Sequence, residues 1–321
     1  MEVLRDTDGF TAPYAGMAVT IGAYDGVHCG HRAVIGQVRE RAHREGLRTA
    51  VVTFDRHPAS VVRPASAPLL LTDLDQKLEL LASTGVDYTV VIAFDDVRSK
   101  EPAEDFVRDL LVRSLGAKVV VVGEDFHFGH RRSGNVAVLE ALGVELGFAV
   151  RGINLVGTDG TPAVAAEQVS STRIRRALHD ADLVTANRLL GRLHEVRGVV
   201  VDGDKRARHL GFRTANVNVP RSICVPADGI YAGYTELPSG ERVPTAISLG
   251  RRPTYYDDQP YSLLEAHLLD WEGDLYGTSV RVAFHTFLRG ERKFDGPTWE
   301  ADLIAQIDRD CHDARVALQV G

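Results

Sequence analysis

The sequence predicts an α/β protein of two domains: a doubly wound parallel sheet, then a small antiparallel barrel closed by a terminal helix. Three observations carry this expectation. The first half alternates apolar runs with amphipathic helical stretches, the order that builds a parallel sheet with helical crossovers. Those runs are apolar throughout, as strands covered on both faces are. Past His194 the runs become short, β-branched and separated by turns instead of helices. A length of 321 residues fits two domains better than one.

In chain order, residues 1–16 read as an irregular lead-in. Residues 17–21 form a buried strand, broken by Gly22, Asp25, Gly26 and Gly30 before a helix over 32–45. Residues 49–54 are a β-branched strand ending at Asp55-Arg56-His57-Pro58. Leucines at 74, 78, 80 and 81 place a helix over 73–83. Strands follow at 88–94, 118–122 and 148–155, with helices at 102–115 and 136–146 between them. Hydroxyl residues Ser170, Ser171 and Thr172 open a helix, and 181–190 is helical again. Turn-separated strands then run at 196–201, 229–234, 245–249, 264–269 and 279–287, before an amphipathic helix over 298–318. The change of pattern near 185–195 divides the chain into 1–186 and 187–321, with no Gly/Ser linker between them.

Bulk properties exclude several classes. The net charge is -7, from 37 Lys+Arg against 44 Asp+Glu, which argues against a general nucleic-acid binder. The 3 cysteines are scattered and form no C-x-x-C pair, so a reducing cytoplasm is the expected compartment. No apolar run is long enough to span a bilayer, and no leader is visible.

The densest polar chemistry lies at residues 20–35. Strand, glycine-punctuated turn and helix form the usual geometry of a phosphate site. His28 and His31, one helical turn apart, reach the same anion. Gly30 lets the backbone approach phosphates closely. Polar clusters at 25–31, 55–58 and 124–135 all fall at C-terminal strand ends, where open α/β sheets bind ligands. At 169–176, Ser170, Ser171 and Thr172 precede Arg173, Arg175 and Arg176; the hydroxyls suit helix caps, and together with the arginines they suit an oxyanion clamp. A zinc site from His28, Cys29 and His31 lacks a further ligand pair at metal spacing.

Four motifs make the pattern specific. Ala23-Tyr24-Asp25-Gly26-Val27-His28-Cys29-Gly30-His31 resembles the F-D-G-V-H-x-G-H motif of prokaryotic bifunctional riboflavin kinase/FMN adenylyltransferases. Thr53-Phe54-Asp55-Arg56-His57-Pro58 resembles that family's T-F-D-P-H-P, with Arg56 in place of proline. Residues 122–129 resemble V-G-x-D-F-x-F-G, and 169–175 resemble I-S-S-T-x-I-R. The resemblance implies a Rossmann-like nucleotidyltransferase domain that joins AMP to FMN. It makes His28 and His31 catalytic. Gly22, Asp25, Gly30, His57, Ser171, Thr172 and Arg175 would bind ATP and its phosphates, and Asp125 and Phe126 the flavin.

Residues 198–216 resemble the kinase module of the same family, G-x-V-x-x-G-x-x-x-G-R-x-L-G-F-P-T-A-N. That implies a six-stranded antiparallel riboflavin-kinase-like barrel with a C-terminal helix. Thr214 and Asn216 would hold Mg²⁺, and Gly203, Arg208, Gly211 and Arg289 would bind ATP and flavin. Residues 264–271 resemble V-E-x-H-L-L-D-F, which makes Glu265 the general base. Ala207, Arg213 and Arg252 depart from the family on the nucleotide and metal loops.

The reading is therefore FAD biosynthesis from riboflavin, FMN and ATP, without nucleic acid or membrane, in a monomer or weak homo-oligomer. The alternative is an FMN adenylyltransferase whose kinase-like barrel is impaired, inactive or altered in substrate, motivated by the three departures. A flavin- or nucleotide-binding regulator without turnover is disfavoured by the intact His28, His31 and Glu265. A different acceptor for the first domain is disfavoured by the attached barrel.

Overall fold

The computed structural model describes residues 1–7, 10–13, 15–153, 168–202, 212–250 and 262–320. The chain forms two compact units, Met1–Ser171 and Thr172–Gly321.

The first unit is built on a six-stranded, all-parallel sheet. Its strands are β1 (Glu2–Arg5), β2 (Met17–Ile21), β3 (Arg48–Phe54), β4 (Tyr88–Ile92), β5 (Ala117–Gly123) and β8 (Ala149–Ile153). They lie in the order β1-β4-β3-β2-β5-β8. Every residue of β2 is buried, because this central strand is covered on both faces. The edge strands β1 and β8 are mostly exposed. The lead-in is thus not wholly irregular: Glu2–Arg5 pairs in parallel with Tyr88–Val91.

Helix α1 (Cys29–Glu45) follows β2 and ends on Gly46, whose φ of 66° is the left-handed stop that glycine adopts without strain. The short α2 (Pro58–Val62) follows β3, and α3 (Leu74–Ala82) precedes β4. Helix α4 (Ala103–Phe106) widens into a π-helical stretch over Val107–Ser114, where the Leu115 amide bonds the Leu110 carbonyl. Strands β6 (His127–Phe128) and β7 (Gly134–Asn135) make a small hairpin before α5 (Val136–Leu146). The main core packs Val19, Val52, Val90 and Val120 of the sheet against Phe106, Leu111 and Leu139 of the helices.

Strand order reverses between β2 and β5: β3 and β4 lie on one side of β2, β5 and β8 on the other. Loops leaving these two strands diverge and open a crevice. Gly22–Gly30 follows β2 and Glu124–Phe126 follows β5, so the first and third motifs flank that switch point.

Helix α6 (Ser171–His179) starts at the division between the units, and α7 (Leu183–Leu190) follows. The division at Ser171/Thr172 precedes the change of sequence pattern at 186/187, because α7 packs on the barrel. Asn187 Nδ2 donates to the Phe284 carbonyl, and Asn187 Oδ1 accepts from the His194 amide.

The second unit is a closed antiparallel barrel. Its strands are β9 (His194–Val201), β10 (Ala215–Asn218), β11 (Gly229–Glu236), β12 (Arg242–Gly250), β13 (Leu263–Leu268) and β14 (Ser279–Arg289). They close in the order β10-β13-β12-β11-β14-β9. Tyr231, Ile247, Val282 and Phe284 are wholly buried inside. Helix α8 (Trp299–Leu318) lays Cys311, Ala314 and Leu318 on Ala232, Ala246 and Leu269 of the barrel wall.

Candidate active sites

The loop between β2 and α1 is tightly shaped. Tyr24, Gly26 and Val27 all have positive φ, at 50°, 83° and 37°. For Tyr and the β-branched Val this is strained backbone, held by surrounding contacts. The Tyr24 hydroxyl lies 2.7 Å from Thr20 Oγ1, and burial pushes its ionisation well above the usual tyrosine range. Asp25 is buried, and its carboxylate accepts from the amides of Leu71 (2.9 and 3.1 Å) and Thr72 (3.1 Å). These bonds make Asp25 the clip that fixes this loop to the segment before α3.

His28 is the N-cap of α1: its Nδ1 accepts from the His31 amide at 3.2 Å. A nitrogen that accepts carries no proton, so the neutral ring bears its proton on Nε2, as a donor. The rings of His28 and His31 stack, with centroids 3.5 Å apart and planes 13° from parallel. Both imidazoles therefore sit at the positive end of a 17-residue helix. A Cβ at Gly30 would stand 3.3 Å from the His28 ring and 3.4 Å from the Val169 carbonyl. The 169–171 segment thus lies against the start of α1, and Ser171 Oγ donates to the Asp25 carbonyl at 2.9 Å. A Cβ at Gly22 would meet the Tyr24 ring at 3.1 Å. The first and fourth motifs are brought together.

His57 is likewise an N-cap, its Nδ1 accepting from the Ala59 amide at 3.1 Å, so it too presents an Nε2 donor. Asp55 ties strand ends: one oxygen accepts from the Phe94 amide at 2.9 Å, the other from the Arg56 guanidinium. Burial opposes ionisation of Asp55, but these bonds prevail and hold its carboxyl below the usual range. Asp125 is exposed, and Phe126 stacks on Phe128 at 5.4 Å. Thr172 and Arg175 follow Ser171 on the first turn of α6, Arg175 on the Ser171 face by helical spacing.

In the barrel, one row of cross-strand partners contains the sequence-predicted residues Asn216, Glu265 and Arg289. Val201 pairs with Asn216, Asn216 with Glu265, Glu265 with Ser248, Ser248 with Ile230, and Ile230 with Arg289. Directly opposed residues share a face. Their neighbours Val217, Leu264 and Leu249 are buried, so this row lies on the outer wall. Glu265 and Asn216 are thereby side by side, with Thr214 two residues before Asn216. The His267 ring meets the Arg213 carbonyl at 2.7 Å through Nδ1, which therefore carries the proton. Arg289 forks onto Asp310 of α8 at 2.7 and 2.6 Å, so its guanidinium anchors the terminal helix. Gly203, Ala207, Arg208, Gly211 and Arg252 lie outside the described residues. Among the described residues no cluster of three or more His, Cys, Asp and Glu side chains could hold a metal ion.

Comparison with known proteins decides the family. Residues 11–173 match the FAD synthetase family model, and residues 190–318 match the riboflavin kinase family model. Over 98% of the chain and 98% of the relative, the sequence is 36% identical to the bifunctional riboflavin kinase/FMN adenylyltransferase of Haemophilus influenzae. It is 38% identical to the protein of that description from Escherichia coli, over 98% and 97% of the two chains. The chain belongs to the bifunctional riboflavin kinase/FMN adenylyltransferase family. A solved structure described as a macrolide-efflux protein from Streptococcus pneumoniae superposes with a TM-score of 0.82 at 25% identity, over 98% of this chain and 99% of that one. No helix among the described residues of this family member is long and apolar enough to cross a membrane.

Sequence reasoning passed over Lys77, which lies buried beside the first site, and Ser248, the second neighbour of Glu265 in the family's kinase barrel. Lys77 left a signal: it occupies the apolar face of α3, three residues after Leu74 and four before Leu81.

Proposed function

We infer that this protein makes FAD in two steps, phosphorylating riboflavin to FMN and then joining FMN to AMP with release of pyrophosphate. The observation that carries the reading is the pair of family matches along one chain, FAD synthetase over residues 11–173 and riboflavin kinase over residues 190–318. We assign adenylyl transfer to residues 1–186 and phosphorylation to 187–321.

In the adenylylation step, at the ends of β2 and β5, an FMN phosphate oxygen attacks the α-phosphorus of ATP and the bond to the pyrophosphate oxygen breaks. No protein nucleophile is required. Charge building on the phosphate oxygens meets the His28 Nε2 proton, His31 and the positive end of α1. Gly22 and Gly30 keep that approach clear of side chains. His57 and Ser171 add phosphate contacts, with Asp25 holding the loop in register; the family resemblance gives Thr172 and Arg175 the same role. Asp125 and Phe126 face the flavin.

In the barrel, Glu265 takes the proton of the ribityl hydroxyl as that oxygen attacks the γ-phosphorus, and ADP leaves. The donor set beside it, the Thr214 hydroxyl and the Asn216 amide oxygen, is all hard oxygen and fits Mg²⁺ shared with substrate phosphates. When bound, Mg²⁺ neutralises charge on the transferring phosphoryl group. Arg289 contributes through the wall it shares with Glu265, as an anchor for α8. Cys29, Cys224 and Cys311 form no disulfide, which accords with a reducing cytoplasm. We propose a monomer or weak homo-oligomer.

Two variants test the assignment by product chromatography, with riboflavin or FMN supplied separately. His28→Asn keeps a capping acceptor and removes the ring donor. It is expected to lower FAD formation at least about a hundredfold and spare FMN formation. Glu265→Gln is expected to do the reverse. If either variant lowers both activities together, the two-site assignment is wrong.

A further inference from the structure

Lys77 lies on α3, away from every motif that the sequence singles out, and yet it is buried, with 7% of its surface exposed. Its ammonium donates to the Phe54 carbonyl at 2.7 Å, to Thr53 Oγ1 at 3.2 Å and to the Ala23 carbonyl at 3.4 Å. Thr53 Oγ1 itself donates to the Ala23 carbonyl at 3.1 Å. Ala23 opens the loop that ends at His28, and Thr53-Phe54 leads into Asp55 and His57. One buried cation therefore holds the ends of two adjacent strands where they carry the phosphate-facing histidines.

We propose that Lys77 is a positioning residue for adenylyl transfer: its ammonium fixes the loop after β2 against the end of β3, and so sets where His28 and His31 stand. The proposal rests on the assignment of adenylyl transfer to this unit. Geometry gives the reason that the charge matters. An ammonium has three N–H donors for three acceptors; a neutral amine has two, and one carbonyl or hydroxyl is left unmet.

Two charged groups bear on Lys77. Asp25, from the loop after β2, and Asp55, at the end of β3, both favour its protonated form. Burial outweighs them and brings it down to about 8. Adenylylation should therefore fall along an alkaline limb centred near pH 8. Titration of Lys77 does not itself unfold the protein along this limb. A lysine whose proton is held less tightly in the folded chain makes the fold more stable, not less, as pH rises from about 8 to 10.5.

The test uses the full chain and reads FMN adenylylation and riboflavin phosphorylation in parallel across pH. The wild type is expected to show the limb in adenylylation only. Lys77→Arg, which stays charged, is expected to move it upward by more than about one pH unit. Lys77→Met is expected to lower kcat for adenylylation about a hundredfold at neutral pH, with KM for ATP changed less than about threefold, and to leave phosphorylation intact. Thr53→Val, which keeps the cation and removes an acceptor, is expected to move the limb to lower pH. It decides the matter if Lys77→Arg does not fold. A wild type without the limb, a limb unmoved in both Lys77→Arg and Thr53→Val, or full adenylylation in Lys77→Met would overturn the proposal. A wild type that forms no FAD at any pH would instead remove the underlying assignment.

Discussion

Acidifying the protein forces a proton onto His194, and the barrel has no place for the charge. His194 opens β9 with 1% of its surface exposed. Its Nε2 donates to the Cys224 carbonyl at 2.9 Å, and its ring stacks toward Phe284. Burial is the dominant cause that brings it down from 6.5 to about 4; the Cys224 bond opposes, and the nearby Arg192 assists. The unfolded chain therefore takes up the proton first. Stability from this group is complete above about pH 6.5 and is lost progressively as pH falls toward 4. At ~1.4 kcal/mol per pH unit, the displacement amounts to about 3 kcal/mol. Both tryptophans, Trp271 and Trp299, belong to the barrel unit, so urea unfolding followed by their fluorescence reports this unit alone. His194→Gln cannot take up the proton. Its unfolding free energy should lose about 3 kcal/mol less than that of the wild type between those pH values. Equal acid sensitivity in the two proteins would refute the argument.

Gly30→Ala adds a methyl 3.3 Å from the His28 ring, a distance that the ring accommodates only by moving. Adenylylation should fall about tenfold or more, with riboflavin phosphorylation unchanged, as read by product chromatography. Asp310→Asn exchanges a charged fork to Arg289 for weaker bonds. It should lower barrel stability by about 2 kcal/mol in the same fluorescence titration, since Asp310 is 6% exposed.

Where a segment's own pattern specified its neighbours, the sequence was readable. The central strands 17–21 and 49–54 are apolar because both faces are covered, and the structure places them side by side at the centre of the sheet. Strand β1 was not readable. Glu-Val-Leu-Arg carries charge at both ends and lies at a sheet edge, so only its pairing with Tyr88–Val91 makes it a strand. Strand β10, Ala-Asn-Val-Asn, has the composition of a turn, and it is extended because β9 and β13 hydrogen-bond it on both sides. The histidine pair of the first site was legible as a motif, but its tautomer was not: that depends on which backbone amide points at Nδ1. Lys77 was hidden for a different reason. A lysine within a helix is ordinarily solvated, and acceptors far away in sequence, the Ala23 and Phe54 carbonyls and Thr53 Oγ1, make its burial tolerable.

The capping role of His28 ties readiness for reaction to the breathing of a helix. The same ring closes the first turn of α1 through Nδ1 and offers its proton from Nε2, so a molecule whose first turn has frayed has also lost the aim of its donor. With His28 in its proposed role, opening of that turn would act as a gate in series with chemistry. Amide exchange at His31 and the rate of FAD formation are then expected to change together in variants that loosen this turn.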